Sequence, residues 1–204
     1  ETPPLHVENW PWPVRIFTLG RFEIIREGKP IQFTGKVQKK PLEMLKVLIS
    51  LGSMNVSEER ISDALWPEAD GDTARLSFKT TLHRLRQLLG CEEFIKFKDG
   101  RMSMDRHTCW VDVWSFENLA EHVESLRCEL ESAGLMSESR NQNTERYIRI
   151  IEKAIAMYHG HYLGDESDRP WASSLKERMR NKFLHFVDLL GDYWTKQQPS
   201  NAQS

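Results

Sequence analysis

Hydrophobic and polar positions divide this chain into a β-rich beginning, a helical stretch closed by a hairpin, and a helical second half. Val14 to Thr18 and Arg21 to Arg26 alternate or run apolar with β-branched and aromatic residues, which predicts two strands. Glu27-Gly28-Lys29-Pro30 is turn chemistry, and Ile31 to Phe33 predicts a third short strand, giving an N-terminal antiparallel sheet. From Pro41 to Ile49, Leu42, Leu45, Leu48 and Ile49 share one helical face, and Gly52 ends that helix. Ser57, followed by Glu58 and Glu59, opens a short helix through Leu65-Trp66; the residue three places on is Arg60, so the capping box is imperfect. Pro67 terminates it.

A third helix is expected to begin near Asp72 or Thr73, either of which can cap it, and to end at Leu89 before Gly90. At about 100° per residue, Phe78, Leu82, Leu85 and Leu89 fall within about 60° of one another and form its core stripe. Opposite them lie Thr80, His83, Arg84 and Gln87, with Leu76 and Ser77 beside them and Arg75, Lys79 and Arg86 on one flank. Phe94 to Lys98 and Arg101 to Met104, joined by Asp99-Gly100, predict a β-hairpin, because Asp-Gly suits the two-residue turn with both φ angles positive.

Beyond Val113 the pattern is helical throughout. Trp114, Phe116, Leu119, Val123 and Leu126 mark one amphipathic helix. Ser132 to Thr144 is polar and reads as a loop. Tyr147, Ile150, Ile151, Ala154, Ile155 and Tyr158 mark a second helix, followed by Gly160. Trp171, Leu175, Met179, Phe183, Phe186, Leu190 and Trp194 mark a long third one, and their aromatic side chains are expected in the core. Residues 1–13, with four prolines and no period, read as a linker or arm, and 197–204 as a disordered tail.

Composition adds one distinction. Over 204 residues the net charge is −2, but Val14 to Met104 holds 16 Lys and Arg against 12 Asp and Glu, and the remainder to Ser204 the reverse excess. Between Asp72 and Glu92 there is no acid at all, while Arg75, Lys79, Arg84 and Arg86 fall there. No apolar run is long enough for a membrane span, and no secretory leader opens the chain. Cys91, Cys109 and Cys128 are odd in number and lack C-x-x-C spacing, so a reducing cytoplasm is expected rather than a disulfide framework. The first residue is Glu1, which suggests a piece of a longer protein.

Enzymatic and metal chemistry find little support. His159 and His161, with Asp165, Glu166 and Asp168 after them, have no spacing that fixes a metal geometry. Glu68 to Asp72 lacks the calcium-loop spacing, Gly20 to Lys29 is no phosphate loop, and no nucleophile, base and orienting acid fall into a set. The expectation is no enzyme, no cofactor and no metal.

The third helix carries a different chemistry. The major groove admits one helix and displays a donor and acceptor code that Arg, Lys, Ser, Thr, His and Gln can read. Ser77, Thr80, Thr81, His83 and Arg84 are candidates for base edges or phosphates. Arg75, Lys79 and Arg86 are candidates for backbone, with Lys96, Lys98 and Arg101 of the hairpin beside them.

The order of three strands, three helices and a hairpin resembles the OmpR-type winged helix-turn-helix, and Leu82-His83-Arg84-Leu85-Arg86-Gln87-Leu88-Leu89 is similar to the end of that family's recognition helix. Phe17-Thr18-Leu19-Gly20-Arg21-Phe22-Glu23 and Asp63-Ala64-Leu65-Trp66-Pro67 resemble the SARP-type bacterial activators more specifically. In that group a bacterial transcriptional activator domain of tetratricopeptide-like helices follows. Val111-Asp112-Val113-Trp114-Ser115-Phe116-Glu117, Ala154 to Leu163 and Pro170-Trp171 resemble its entry and middle. Two departures stand out: the hairpin reads Gly100-Arg101-Met102 where the family often has Gly-Tyr, and the helical part is short.

The resemblance implies an α+β chain. A winged helix would occupy 14–110, with an N-terminal antiparallel sheet and a C-terminal wing, and an all-α tetratricopeptide-like domain would follow over 111–196. It implies a role for Arg84 on DNA and contact with RNA polymerase through the loop from Trp66 to Asp72, whose acids are Glu68, Asp70 and Asp72. The expected function is a sequence-specific double-stranded DNA-binding regulator, an activator, acting as a dimer or on repeated sites alongside other domains of a parent regulator. The alternative is a protein-interaction module whose winged helix no longer binds DNA.

Overall fold

Glu27 and Gly28 both adopt positive φ, 49° and 79°, and so close a two-residue turn that pairs the chain again at once. The computed structural model describes residues 3–32, 39–90, 93–132, 137–164 and 168–197. Strand β1 (Val14–Phe17) runs antiparallel to β2 (Glu23–Arg26), with Val14 opposite Arg26 and Phe17 opposite Glu23. The tight turn places β3 at Lys29–Pro30, earlier than the expected Ile31 to Phe33. Ile31 still donates its N–H to the Ile24 carbonyl at 2.8 Å, and Phe33 lies outside the described residues. The sheet is mixed rather than antiparallel throughout, because β7 (Cys109–Val111) lies parallel to β1, in the order β3-β2-β1-β7.

Three helices follow the strands. α1 (Lys39–Ser50) buries its predicted face and also Met44 and Val47, since α2, α3 and α6 surround it. β4 (Val56–Ser57) leads into α2 (Glu58–Leu65), where the Ser57 hydroxyl accepts from the Arg60 N–H at 3.3 Å. α3 (Gly71–Leu89) starts before the expected caps. Asp70 caps it, accepting from the Thr73 N–H at 2.9 Å and the Thr73 hydroxyl at 2.8 Å, while Gly90 ends it in the left-handed conformation. β5 (Ile95–Lys98) and β6 (Arg101–Met104) form the hairpin over Asp99 and Gly100, φ 51° and 69°, and β4 adds to β6 as a third strand.

α4 (Asp112–Ser132) follows β7 directly. α5 (Ser137–Met157) takes in most of the polar stretch expected as a loop. The described side chains from 141 to 146 are exposed or half-buried, and a helical turn that buries nothing carries no apolar period to betray it. α6 (Pro170–Gln197) opens with proline, which suits a first helical position, and buries Ala172, Leu175, Met179 and Phe186. Trp194, expected in the core, is exposed.

Both halves share one hydrophobic cluster running from Val14 through Leu85 and Phe116 to Phe186. Its polar centre is Asp112. The carboxylate is fully buried and accepts four hydrogen bonds: from the Thr18 N–H (2.6 Å), the Thr18 hydroxyl (2.6 Å), the Leu19 N–H (2.7 Å) and the Val113 N–H (2.8 Å). Burial holds this carboxyl above its usual range, and the four donors offset only part of that rise. Beside it the connector between α5 and α6 docks on the end of β1, with the Leu163 N–H on the Thr18 carbonyl (2.6 Å) and the Gly20 N–H on the His161 carbonyl (2.9 Å). A Cβ on Gly20, whose φ is +88°, would meet the His159 backbone at 2.7 Å. The buried Tyr162 hydroxyl then reaches α1, donating to the Lys46 carbonyl at 3.2 Å.

The N-terminal arm is packed down rather than loose. Trp12 is buried against Phe17 and Trp110, and the Trp110 indole N–H donates to the Leu5 carbonyl at 2.8 Å.

Asp112→Asn keeps the shape but turns one acceptor into a donor facing N–H and O–H groups. A loss of about 1–3 kcal/mol in unfolding free energy is expected, and a larger one for Asp112→Ala. Urea denaturation of the two variants measures it; a change below about 0.5 kcal/mol in both contradicts the role assigned to this carboxylate.

Candidate nucleic-acid interface

α3 presents its two faces cleanly. Ala74, Phe78, Thr81, Leu82, Leu85 and Leu89 are buried, packed on α1, α2 and the hairpin, with the Phe78 and Phe97 rings 5.2 Å apart. On the opposite face Thr73, Leu76, Lys79, Thr80, His83, Arg84 and Gln87 are exposed. Beyond Asp72 in its first turn, α3 carries no carboxylate.

The structure sorts the expected contact residues into groups. Lys79, Thr80, His83 and Arg84 lie together on the exposed face, and Lys79 and Arg84 have no ion-pair partner among the described residues. Ser77 is half-buried at the edge of this face. Thr81 is buried and turned into the core, since it lies within the apolar stripe rather than across from it. Arg86 is half-buried and spent on the scaffold: its Nε and Nη2 donate to the Ile95 carbonyl at 3.2 and 2.8 Å, tying the last turn of α3 to β5. Arg75 is exposed but turned towards α2, with Nε 3.9 Å from Glu58 Oε1.

The hairpin divides in the same way. Lys96 Nζ sits 2.6 Å from Asp105 Oδ2, and that hydrogen bond and charge raise its pKa. The Arg101 guanidinium donates to the Asn55 carbonyl at 3.0 Å while staying exposed. Lys98, next to the turn, is exposed and has no partner among the described residues. Sequence spacing marks which side chains point outward, but not which cations the fold itself uses.

Between α2, the start of α3 and the hairpin tip lies a surface groove of about 570 Å³ lined by Glu58, Glu59, Asp63, Trp66 and Arg75 among others. Glu58 Oε1 is buried there with no hydrogen-bond partner among the described residues. The loop above the groove carries Glu68, which is exposed, and Asp70, whose pKa is lowered by the Thr73 N–H and hydroxyl it caps. Asp72 is exposed in the first turn of α3. One feature escapes the pattern reading: Asp70 is a structural cap. Leu76, which the wheel places beside the outward residues, is 70% exposed at the centre of that face.

No protein-family model and no curated protein matches the chain. It is similar in structure to Mycobacterium tuberculosis EmbR, solved in complex with a low-affinity phosphopeptide. The TM-score is 0.63 at 18% identity, over 87% of this chain and 44% of that one. The chain therefore spans less than half the length of that structure. At this identity the likeness is one of fold: a mixed α+β arrangement with an N-terminal sheet and about six helices. Among the described residues no helix is long and apolar enough to cross a membrane, and no three His, Cys, Asp or Glu side chains are grouped to hold a metal ion. Asp165 and Glu166 lie outside the described residues.

The sorting of cations is itself testable. Arg86→Ala should lower stability by about 1–2 kcal/mol, because a charged donor leaves a carbonyl unsatisfied, whereas Lys98→Ala should stay within about 0.5 kcal/mol. Thermal or urea unfolding decides it, and equal effects for both would contradict the division.

Proposed function

We propose that this chain is a sequence-specific double-stranded DNA-binding transcription regulator of the SARP type that reads the major groove with α3. The observation that carries the reading is the outward face of α3, where Lys79, Thr80, His83 and Arg84 stand exposed together with no acid beyond the first turn. Arg84, His83 and Thr80 supply base discrimination, each good base contact being worth about 1–3 kcal/mol. Lys79, Lys98 and Arg101 supply the phosphate contacts that set affinity and its salt dependence, with the hairpin serving as the wing. Arg86 and Thr81 drop out of the contact set because the scaffold uses them, and Ser77, Arg75 and Lys96 are secondary to the unpaired groups.

In this reading residues 14–110 form the DNA-binding module and 111–196 a helical, tetratricopeptide-like module that joins it to the rest of a regulator. The fold likeness to EmbR supports the class, and the resemblance of the motifs supports an activator, bound as a dimer or on repeated sites. The loop bearing Glu68, Asp70 and Asp72, over its acidic groove, is proposed to meet a protein partner, RNA polymerase, because acids there repel phosphate. No enzymatic step is assigned, and the setting is the cytoplasm. That same acidic groove is what favours the rival reading, a protein-interaction module without DNA binding.

Selection of bound sites from random duplex DNA separates the two. The parent chain is expected to enrich a defined, repeated motif, and Arg84→Ala to enrich none. No enrichment by the folded parent at low salt would favour the interaction module, and unchanged specificity in Arg84→Ala would remove α3 as the reader. On the selected site, Lys98→Ala should weaken all sequences alike and reduce the slope of log affinity against log salt by about 1; an unchanged slope would take the hairpin out of the contact set.

A further inference from the structure

The centre of the outward α3 face is held by an apolar side chain. Leu76 is the most exposed of the large hydrophobic residues described, at 70%. Thr73 lies one turn before it on the same face, Lys79 and Thr80 one turn after, and His83 two turns after. Neither hydrophobic cluster of the described residues includes it.

A single exposed leucine is ordinary on a protein surface. Its position is what makes this one informative. It lies in the N-terminal half of α3, and in helix-turn-helix docking the N-terminal residues of the reading helix approach the base edges. Its neighbours on that face are hydrogen-bonding or cationic, so docking would dehydrate Leu76 together with them. In the major groove most base-edge groups are donors or acceptors, which a leucine would leave dry and unpaired. The apolar group available there is the C5 methyl of thymine.

We propose that Leu76 is a specificity-determining residue that packs against the C5 methyl of a thymine in the bound site. The thymine lies beside the base pair approached by Thr80 and His83, because the three side chains follow one another along a single helical strip. The inference rests on the DNA-reading function proposed above and adds to it one base identity and the residue that reads it. It also gives a discrimination that hydrogen bonding does not. Removing a methyl group leaves every donor and acceptor of the base pair in place.

The test replaces each thymine of the selected site, one at a time, by deoxyuridine, which lacks only that methyl. Affinity is then measured for the parent chain and for Leu76→Ala. At one thymine, deoxyuridine should weaken the parent by about 3- to 10-fold, the scale of one buried methyl contact, and leave Leu76→Ala unchanged. Leu76→Ala should also relax base preference at that position in a repeated selection while keeping the rest of the motif. Because Leu76 is exposed and alanine favours helix, the variant is expected to fold, and its circular dichroism spectrum checks this. A defined site at which every thymine tolerates the replacement equally in both proteins overturns the role of Leu76 and leaves the DNA reading standing. A folded parent that selects no site overturns both.

Discussion

The buried carboxylate of Asp112 is the point on which this fold turns. It gathers two backbone N–H groups and a hydroxyl from the end of β1, and the N–H of Val113, the second residue of α4. Without an acceptor there, the end of β1 would bury donors with no partner, a cost large against the net stability of a domain. The same end of β1 receives the connector between α5 and α6, and Tyr162 carries that connection into α1. The N-terminal sheet, the three-helix unit and the helical second half are thereby joined around one polar centre in a continuous apolar core.

That junction determines how α3 is held. α1 packs against α2 and α3 and also against α6, so the second half braces the first. The front of α3 is left to solvent. The scaffold consumes some of the nearby cations and leaves others free: Arg86 closes the α3–β5 corner and Lys96 pairs with Asp105, while Lys79, Arg84 and Lys98 remain outward. A surface whose charges are released by the fold rather than cancelled within it is suited to a polyanion.

Much of this was legible in the sequence, and the failures have physical causes. The three central helices and the Asp-Gly hairpin announce themselves through period and turn chemistry. β7 did not, because three buried residues, Cys109, Trp110 and Val111, are too few to show an alternation. The start of α5 is hidden because its sequence carries no apolar stripe, and Trp194, expected in the core, is exposed, because helical spacing cannot tell a core face from one that outlasts its partners. At the candidate site the outward direction of Thr80, His83 and Arg84 followed from the wheel. Thr81, expected among the contact residues, is buried instead, because it lies at the edge of the core stripe, where a polar residue type gives no sign of burial. The fate of Arg86 did not follow, since its partner is a backbone carbonyl that only the folded hairpin brings near.

The central claim is that α3 and the hairpin form the surface that meets duplex DNA. The most direct test is the mapping of backbone amide chemical-shift changes as a duplex carrying the bound site is added to the isotope-labelled chain. Changes concentrated between Gly71 and Arg84 and around Lys98 to Arg101 are the expected result. Changes confined to α4, α5 and α6, or none at low salt, would contradict it.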